Sequence, residues 1–376
     1  MNKSPLWLAV GGLFAMAAGI GIGRFVYTPI LPPMVEALHL TKSEAGLIAS
    51  ANFAGYFAGA LLAAVRLPGS RRSWLIGALA VNALALAAMG ATASLAVFLL
   101  LRFVAGLVSA LCLIFASALV LDRLAAAGRG RLSAVHFAGV GLGIAGSAVL
   151  VALFADWRTM WLASGALALV SAVVVPLLVP PDHPGSQVKA GGAHQPLPPG
   201  FAPLAVAYFL FGFGYIITAT FIVAQVRGTP AIAALEAYVW VVVGLAAAPS
   251  VALWTGLAAQ LGVRRTFAIC ALVEALGVAI TALWVTGTTV IVAGILVGGT
   301  FMGLTALGLI AAREGSGDPR RRIALMTASF SAGQILGPTF AGYLYDRTGS
   351  LSAPSLAAAA GLVVAGVLTL STAQNR

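Results

Sequence analysis

Gly19-Ile20-Gly21-Ile22-Gly23-Arg24-Phe25-Val26-Tyr27-Thr28-Pro29-Ile30-Leu31-Pro32-Pro33-Met34 is the stretch whose reading decides the fold. It lies inside the first long apolar segment, from about Leu6 to Ala37, which is long enough to cross a bilayer. An arginine near the middle of such a segment costs roughly 3 kcal/mol on insertion scales, so it marks a functional site by default. Glycines before it let another helix or a ligand come close. Prolines after it loosen the helix, which a membrane tolerates only where the freed backbone groups meet protein or water.

The rest of the chain supplies the surroundings. Of 376 residues, 61% are hydrophobic and 8% charged, against about 25% charged in a soluble domain. Only helices and closed barrels span a bilayer. Apolar runs of about 20 residues select helices, because barrel strands run near 10. The 44 glycines suit close helix packing in lipid. The net charge of +11 does not point to nucleic acid, because there is no soluble stretch to carry a basic face and the charge follows the loops. Cys112 and Cys270 fall inside expected spans, which argues against a disulfide framework. Met1-Asn2-Lys3 and the apolar run after it imitate a signal peptide, with Ala15-Met16-Ala17 as a cleavage-like site. The apolar character continues past Arg24 to Leu31, so the segment is expected to stay as the first span.

Twelve spans are predicted, at about 6–37, 43–65, 73–91, 94–122, 131–154, 157–180, 201–226, 232–260, 264–285, 288–312, 321–345 and 350–372. Connections are short except for the Pro- and Gly-rich 181–200, which reads as a linker. The expected fold is an all-α membrane protein of two pseudo-symmetric six-helix bundles, 1–180 and 201–376. Fifteen of the 21 lysines and arginines fall on the side of the termini and linker, and Lys42, Arg158, Arg227 and Arg347 on the other. The positive-inside rule puts both termini in the cytoplasm, in a multi-pass protein of a bacterial inner membrane. The halves repeat at an offset near 190 residues. Gly21-Ile22-Gly23-Arg24 aligns with Gly212-Phe213-Gly214-Tyr215, Arg71-Arg72 with Arg264-Arg265, and Gly139 through Gly143 with Gly333 through Gly337. Parallel repeats of this kind put a site at the midplane between the halves.

Four segments carry a resemblance: Gly21 through Pro29, Asn52-Phe53-Ala54-Gly55-Tyr56, Phe211-Gly212-Phe213-Gly214-Tyr215-Ile216-Ile217, and Gly298 through Gly308. With them the whole chain resembles the major facilitator superfamily, and within it the bacterial YbfB/YjiJ-like subgroup. Arg102-x3-Gly106 is similar to the superfamily's membrane-embedded arginine motif. The resemblance implies alternating access, with spans 1, 4, 7 and 10 lining a cavity and spans 3, 6, 9 and 12 facing lipid. One departure stands out. The Asp common after span 2 is missing between Gly59 and Arg72, and Gln260 stands at the matching place after span 8, which leaves the usual charge latch in doubt.

Arg24 has two readings, a structural cation held by carbonyls freed near Pro29 or an anchor for a substrate anion. The acid inventory favours the anchor, since only Glu274 of the ten acids lies deep in a span, and a guanidinium suits a bidentate carboxylate or phosphate. Arg102 is expected to snorkel, to pair with an outer acid, or to act as a second anion contact or gate. Tyr27, three residues from Arg24, shares its helix face. Asn52, Tyr56, Tyr215, Thr218, Thr300, Thr305 and Gln334 complete the expected substrate-binding set, though hydrogen bonds between helices also explain such groups. Gly55 with Gly59, Gly139 with Gly143 and Gly333 with Gly337 read as helix contacts. Glu274 is the tempting proton carrier, but span 9 is expected at the periphery, so packing or a lipid-adjacent hydrogen bond is the favoured reading, with Glu274→Gln leaving transport largely intact. His136, near an interface, is expected to be solvated.

No enzyme signature stands. Gly141-Leu142-Gly143-Ile144-Ala145-Gly146 has dinucleotide-loop spacing but lies inside an apolar span rather than between a strand and a helix. No cofactor and no metal are expected. The leading function is secondary transport of a small organic anion, with or without a coupling proton, by a monomer in the bilayer. The alternatives are efflux of lipophilic or cationic compounds and, third, a transporter-like sensor.

Overall fold

The computed structural model of the protein describes residues 4–65, 67–181, 197–198, 200–314 and 319–374. Most of the 181–200 linker, and Lys3, Arg66, Lys189 and Arg376 among the counted cations, lie outside the described residues. Twelve long helices form among the described residues. They are α1 (Pro5–Leu38), α2 (Lys42–Ala64), α3 (Arg71–Met89), α4 (Leu95–Ala126), α5 (Ser133–Ala152), α6 (Trp157–Leu178), α7 (Phe201–Arg227), α8 (Glu236–Leu261), α9 (Val263–Leu283), α10 (Gly287–Arg313), α11 (Pro319–Thr348) and α12 (Ser352–Gln374). All but α11 are long and apolar enough to cross a membrane by length and composition. Gln334, Ser329, Ser331 and four arginines dilute α11, and Gln334 and Ser331 are fully buried.

Polar caps set the boundaries. Thr41 and Glu44 form a capping box that starts α2, and Ser70 caps α3. Asp156 caps α6 by accepting from the Thr159 N–H at 3.0 Å, which holds its carboxyl below the usual range. Each cap satisfies an N–H that would otherwise face the bilayer surface unpaired.

Glycines set the packing, and they repeat it. Within the first six helices, a Cβ at Gly55 or Gly59 would strike the α4 backbone at Phe103 or Leu107. One at Gly139 or Gly143 would strike α1 at Leu13 or Ala17. In the last six helices, Gly298 meets the α8 backbone at Val243, while Gly333 and Gly337 meet α7 at Phe209 and Phe213. Thus α2 packs on α4 as α8 does on α10, α5 on α1 as α11 on α7, and α3 on α6 as α9 on α12. Small residues let these backbones touch, which is how helices associate without a hydrophobic drive in lipid. Exposed leucines and valines gather on α3, α6, α9 and α12, among them Leu84, Leu169, Val173, Leu276 and Val367.

The two sets of helices meet along α1–α7, α2–α11 and α5–α8. Their hydrogen bonds lie on the side away from the termini, or near mid-depth. Thr28 donates to Ala219 O at 2.7 Å, and Ser50 to Ile335 O at 2.6 Å. Asp346 of α11 accepts from the Lys42 and Ser43 N–H groups at the start of α2, at 3.1 and 2.9 Å. A carboxylate at a helix N-terminus is favourably placed. Arg227 at the end of α7 grips Glu36 of α1 with two bonds, at 2.7 and 2.5 Å, and reaches Glu236 at 3.2 Å. The inter-half ion pair therefore sits at the opposite end of the molecule from the loop where an acid is missing. There, Arg71 pairs with Asp122 within the first six helices at 3.8 Å.

Candidate functional site

The break in α1 precedes Arg24 rather than following it. Ala17–Ile22 winds as a π-helical segment, while Tyr27–Leu38 runs on as α-helix through Pro29, Pro32 and Pro33. The glycines, not the prolines, carry the distortion. A Cβ at Gly19 would meet Cys112, at Gly21 Val140 and Gly143, and at Gly23 Asn82, so neighbouring helices close in on the widened turn. π-bulges free carbonyls, and in a membrane each needs a donor. Three side chains supply them: Asn82 to Ala18 O at 3.0 Å, Ser109 to Gly19 O at 2.6 Å, and Arg102 to Gly23 O at 3.1 Å and Arg24 O at 3.0 Å.

Arg102 is thus neither snorkelling nor paired with an acid. It is 1% exposed, it lies over the Tyr27 ring at 5.1 Å, and it takes the carbonyl-binding role that the sequence offered as one reading of Arg24. Asn52 stands behind it, donating to Arg102 O at 3.0 Å, and Tyr27 donates to Ala45 O at 2.9 Å. Tyr27, Asn52 and Arg102 therefore form one layer within the first six helices.

Arg24 is placed otherwise. It is 7% exposed, and its Nε and Nη2 have no hydrogen-bond partner. Its guanidinium lies against aromatic faces, Tyr56 at 4.2 Å, Phe53 at 4.9 Å and Phe25 at 5.6 Å. Phe25 carries this cluster across to the last six helices, reaching Phe301 at 5.7 Å and Trp240 at 6.4 Å. Tyr215 stacks on Phe301 at 5.5 Å and on Phe330 at 6.0 Å, and Gln334 bonds its hydroxyl. Arg24 acts electrostatically on Tyr215 and on Arg102. Two guanidiniums share this depth, and among the described residues neither forms a salt bridge with a carboxylate.

Of the expected set, Arg24, Tyr56, Tyr215 and Gln334 come together. Thr218 is buried nearby in sequence with a hydroxyl that has no partner. Thr300 turns toward α9, where Cys270 lies against its carbonyl at 3.6 Å, and its hydroxyl bonds Leu296 O at 2.6 Å. Thr305 spends its hydroxyl on Phe301 O at 2.8 Å. Sequence reasoning missed Asn82, Ser109, Phe53, Phe301, Phe330 and Trp240. Trp240, near the start of α8, carried the one signal available, an indole N–H that needs a partner when buried and here has none.

The solvated reading of His136 fails, and so does the lipid-adjacent reading of Glu274, while its packing reading is left open. His136 is not solvated: it is fully buried, with Ser117 Oγ 3.2 Å from Nε2 and its Nδ1 beside Gly12. Glu274 does not face lipid. It too is fully buried, while Ile269, Leu272 and Leu276 of the same helix point outward.

A family model described as the uncharacterised MFS-type transporter YbfB matches residues 16–370. The fold is similar to that of a variant of the nucleoside transporter NupG, with a TM-score of 0.77 at 16% identity over 97% of this chain and 99% of that one. A bacterial homologue of the human lysosomal transporter Spinster, inward-facing and occupied, gives 0.72 at 15% identity over 100% and 98%. The human organic anion transporter MFSD10 gives 0.70 at 13% over 98% and 100%. No match was found among curated proteins.

Proposed function

Because the chain belongs to the major facilitator transporters of the YbfB type, we propose that it is a secondary transporter that carries a small organic anion across the inner membrane, holding it at Arg24. The observation that carries this reading is the buried guanidinium between the helix sets with two unpartnered nitrogens. A planar fork of donors suits a carboxylate. Arg102 adds positive potential from behind. Tyr56, Tyr215, Gln334, Thr218 and the Trp240 N–H offer polar contacts within aromatic walls, the composition of a small-molecule site. Those walls also favour the second reading, efflux of lipophilic compounds. A cationic substrate would meet Arg24 without a facing carboxylate.

A thermal-shift screen of the purified protein against organic acids, amino acids, sugars and cationic drugs separates the readings, because a ligand of the folded state raises its apparent stability. Acids raising the melting temperature and cations failing to do so is the expected result. The reverse pattern would transfer the proposal to efflux.

Alternating access would rock residues 1–180 against 201–376. The Glu36–Arg227 pair then acts as the latch of the side away from the termini. Both partners are partly exposed, so the pair is worth at most about 1 kcal/mol. Glu36→Gln is expected to shift the balance toward opening on that side by up to about fivefold. Distances between spin labels on the ends of α1 and α7 would read it, and an unchanged distribution would remove the latch. With positive-inside orientation the termini are cytoplasmic. A periplasm-active reporter fused after Arg376 is expected to stay silent.

A further inference from the structure

Glu274 lies midway along α9, and no exposed atom or cation explains it. It is 0% exposed, and neither carboxylate oxygen accepts a hydrogen bond of normal geometry. The Thr300 hydroxyl beside it donates instead to Leu296 O at 2.6 Å. α9 packs on α7, α8, α10 and α12. The titratable groups that interact with Glu274 are Cys270 one turn away and, from α7, Tyr215. Glu236, Arg264, Arg265 and Arg313 sit at the ends of their helices. An ionised carboxylate buried without a donor or a cation is prohibitive, so in this conformation the side chain is the neutral acid. An acid at this depth carries an insertion cost that packing alone does not repay, since glutamine would fill the same volume.

The second observation is where Glu274 leads. It acts electrostatically on Tyr215, and Tyr215 is acted on in turn by Arg24. Tyr215 is also bonded to Gln334 and stacked on Phe301. One tyrosine is thus within electrostatic reach of both the buried acid and the buried cation.

We infer that Glu274 is the site at which the transporter takes up and releases a coupling proton, linked through Tyr215 to the anion held at Arg24. Release breaks the carboxyl O–H bond, leaves the electron pair on the carboxylate and gives the proton to water that reaches it when the helix sets rock apart. An ionised Glu274 and a bound anion both draw on the field of Arg24 and so disfavour each other. A protonated Glu274 leaves Arg24 to the substrate. Proton and anion therefore bind together, the thermodynamic condition for symport. The linkage half of this inference rests on the anion reading of Arg24; the protonation half does not.

Infrared spectroscopy of the purified full-length protein reads the acid without any ligand. A protonated-carboxyl C=O band is expected in the wild type at neutral pH. It should fade reversibly as the pH is raised and be missing in Glu274→Gln, an isosteric change. In Arg24→Gln the fading should move to more alkaline pH by about one unit, the size of a unit-charge interaction at moderate distance. The wild type alone tests the acid if a variant misfolds, because the other glutamates lie at helix ends. Three results would overturn the inference: no band at neutral pH, a band that persists until the protein unfolds, or a titration that Arg24→Gln leaves in place. A thermal-shift screen in which no acid binds would sink the anion reading while leaving these spectra as they are.

Discussion

Arg24→Ala abolishes binding of any acid that stabilises the wild type, yet the purified protein melts close to the wild-type temperature. The two halves of this expected result have separate causes. Binding fails because a charge-assisted contact is worth roughly 1.5–3 kcal/mol, which is about ten- to more than a hundredfold in dissociation constant. Stability survives because Nε and Nη2 of Arg24 have no hydrogen bonds to lose, which leaves a single side-chain bond to Tyr56. The variant forfeits contacts with the Tyr56 and Phe53 faces, at about 0.5–2 kcal/mol each. It also removes a buried cation that repels Arg102, and the two effects oppose. Arg24→Lys keeps the charge and loses the fork, so part of the affinity should remain. Stability and affinity are to be measured on the same preparation. Wild-type affinity in Arg24→Ala would falsify the anion-anchor reading and leave efflux as the better account.

The class of fold was legible because bilayer physics leaves so few choices. Apolar length gave the helices to within a few residues, and the glycine spacings at 55/59, 139/143 and 333/337 marked true backbone contacts. What a sequence hides is direction. Tyr27 and Arg24 lie three residues apart, which on a helix still separates them by about 60° around the axis, enough for the two side chains to take different neighbours. Tyr27 ends on Ala45 O and Arg24 on Tyr56. Glu274 was misplaced for a related reason. A peripheral span still has an inner face, and a single acid gives no periodicity by which to assign it. Trp240, Phe301 and Phe330 were unreadable because aromatic residues in apolar spans look alike until the helices are packed.

The two arginines of this depth are thus expected to behave as opposites. Arg102→Leu should collapse the protein where Arg24→Ala does not. It removes both donors from Gly23 O and Arg24 O, carbonyls of the short helical turn that directly follows the π-helical segment. Neither lipid nor a leucine side chain can replace them. Hydrogen bonds to a charged group are worth about 1.5–3 kcal/mol each, so the two together represent roughly 3–6 kcal/mol, comparable to the whole margin of many domains. Asn82→Ala and Ser109→Ala each remove one neutral bond to the π-helical segment itself and should cost about 1 kcal/mol. Arg102→Lys should fall between, since one ammonium cannot span both carbonyls with the geometry of a fork. Denaturant unfolding in detergent gives the ranking. If Arg102→Leu instead kept its stability and lost only ligand affinity, Arg102 would be a contact of the substrate, and the support of the π-helical segment would have to come from Asn82 and Ser109 alone.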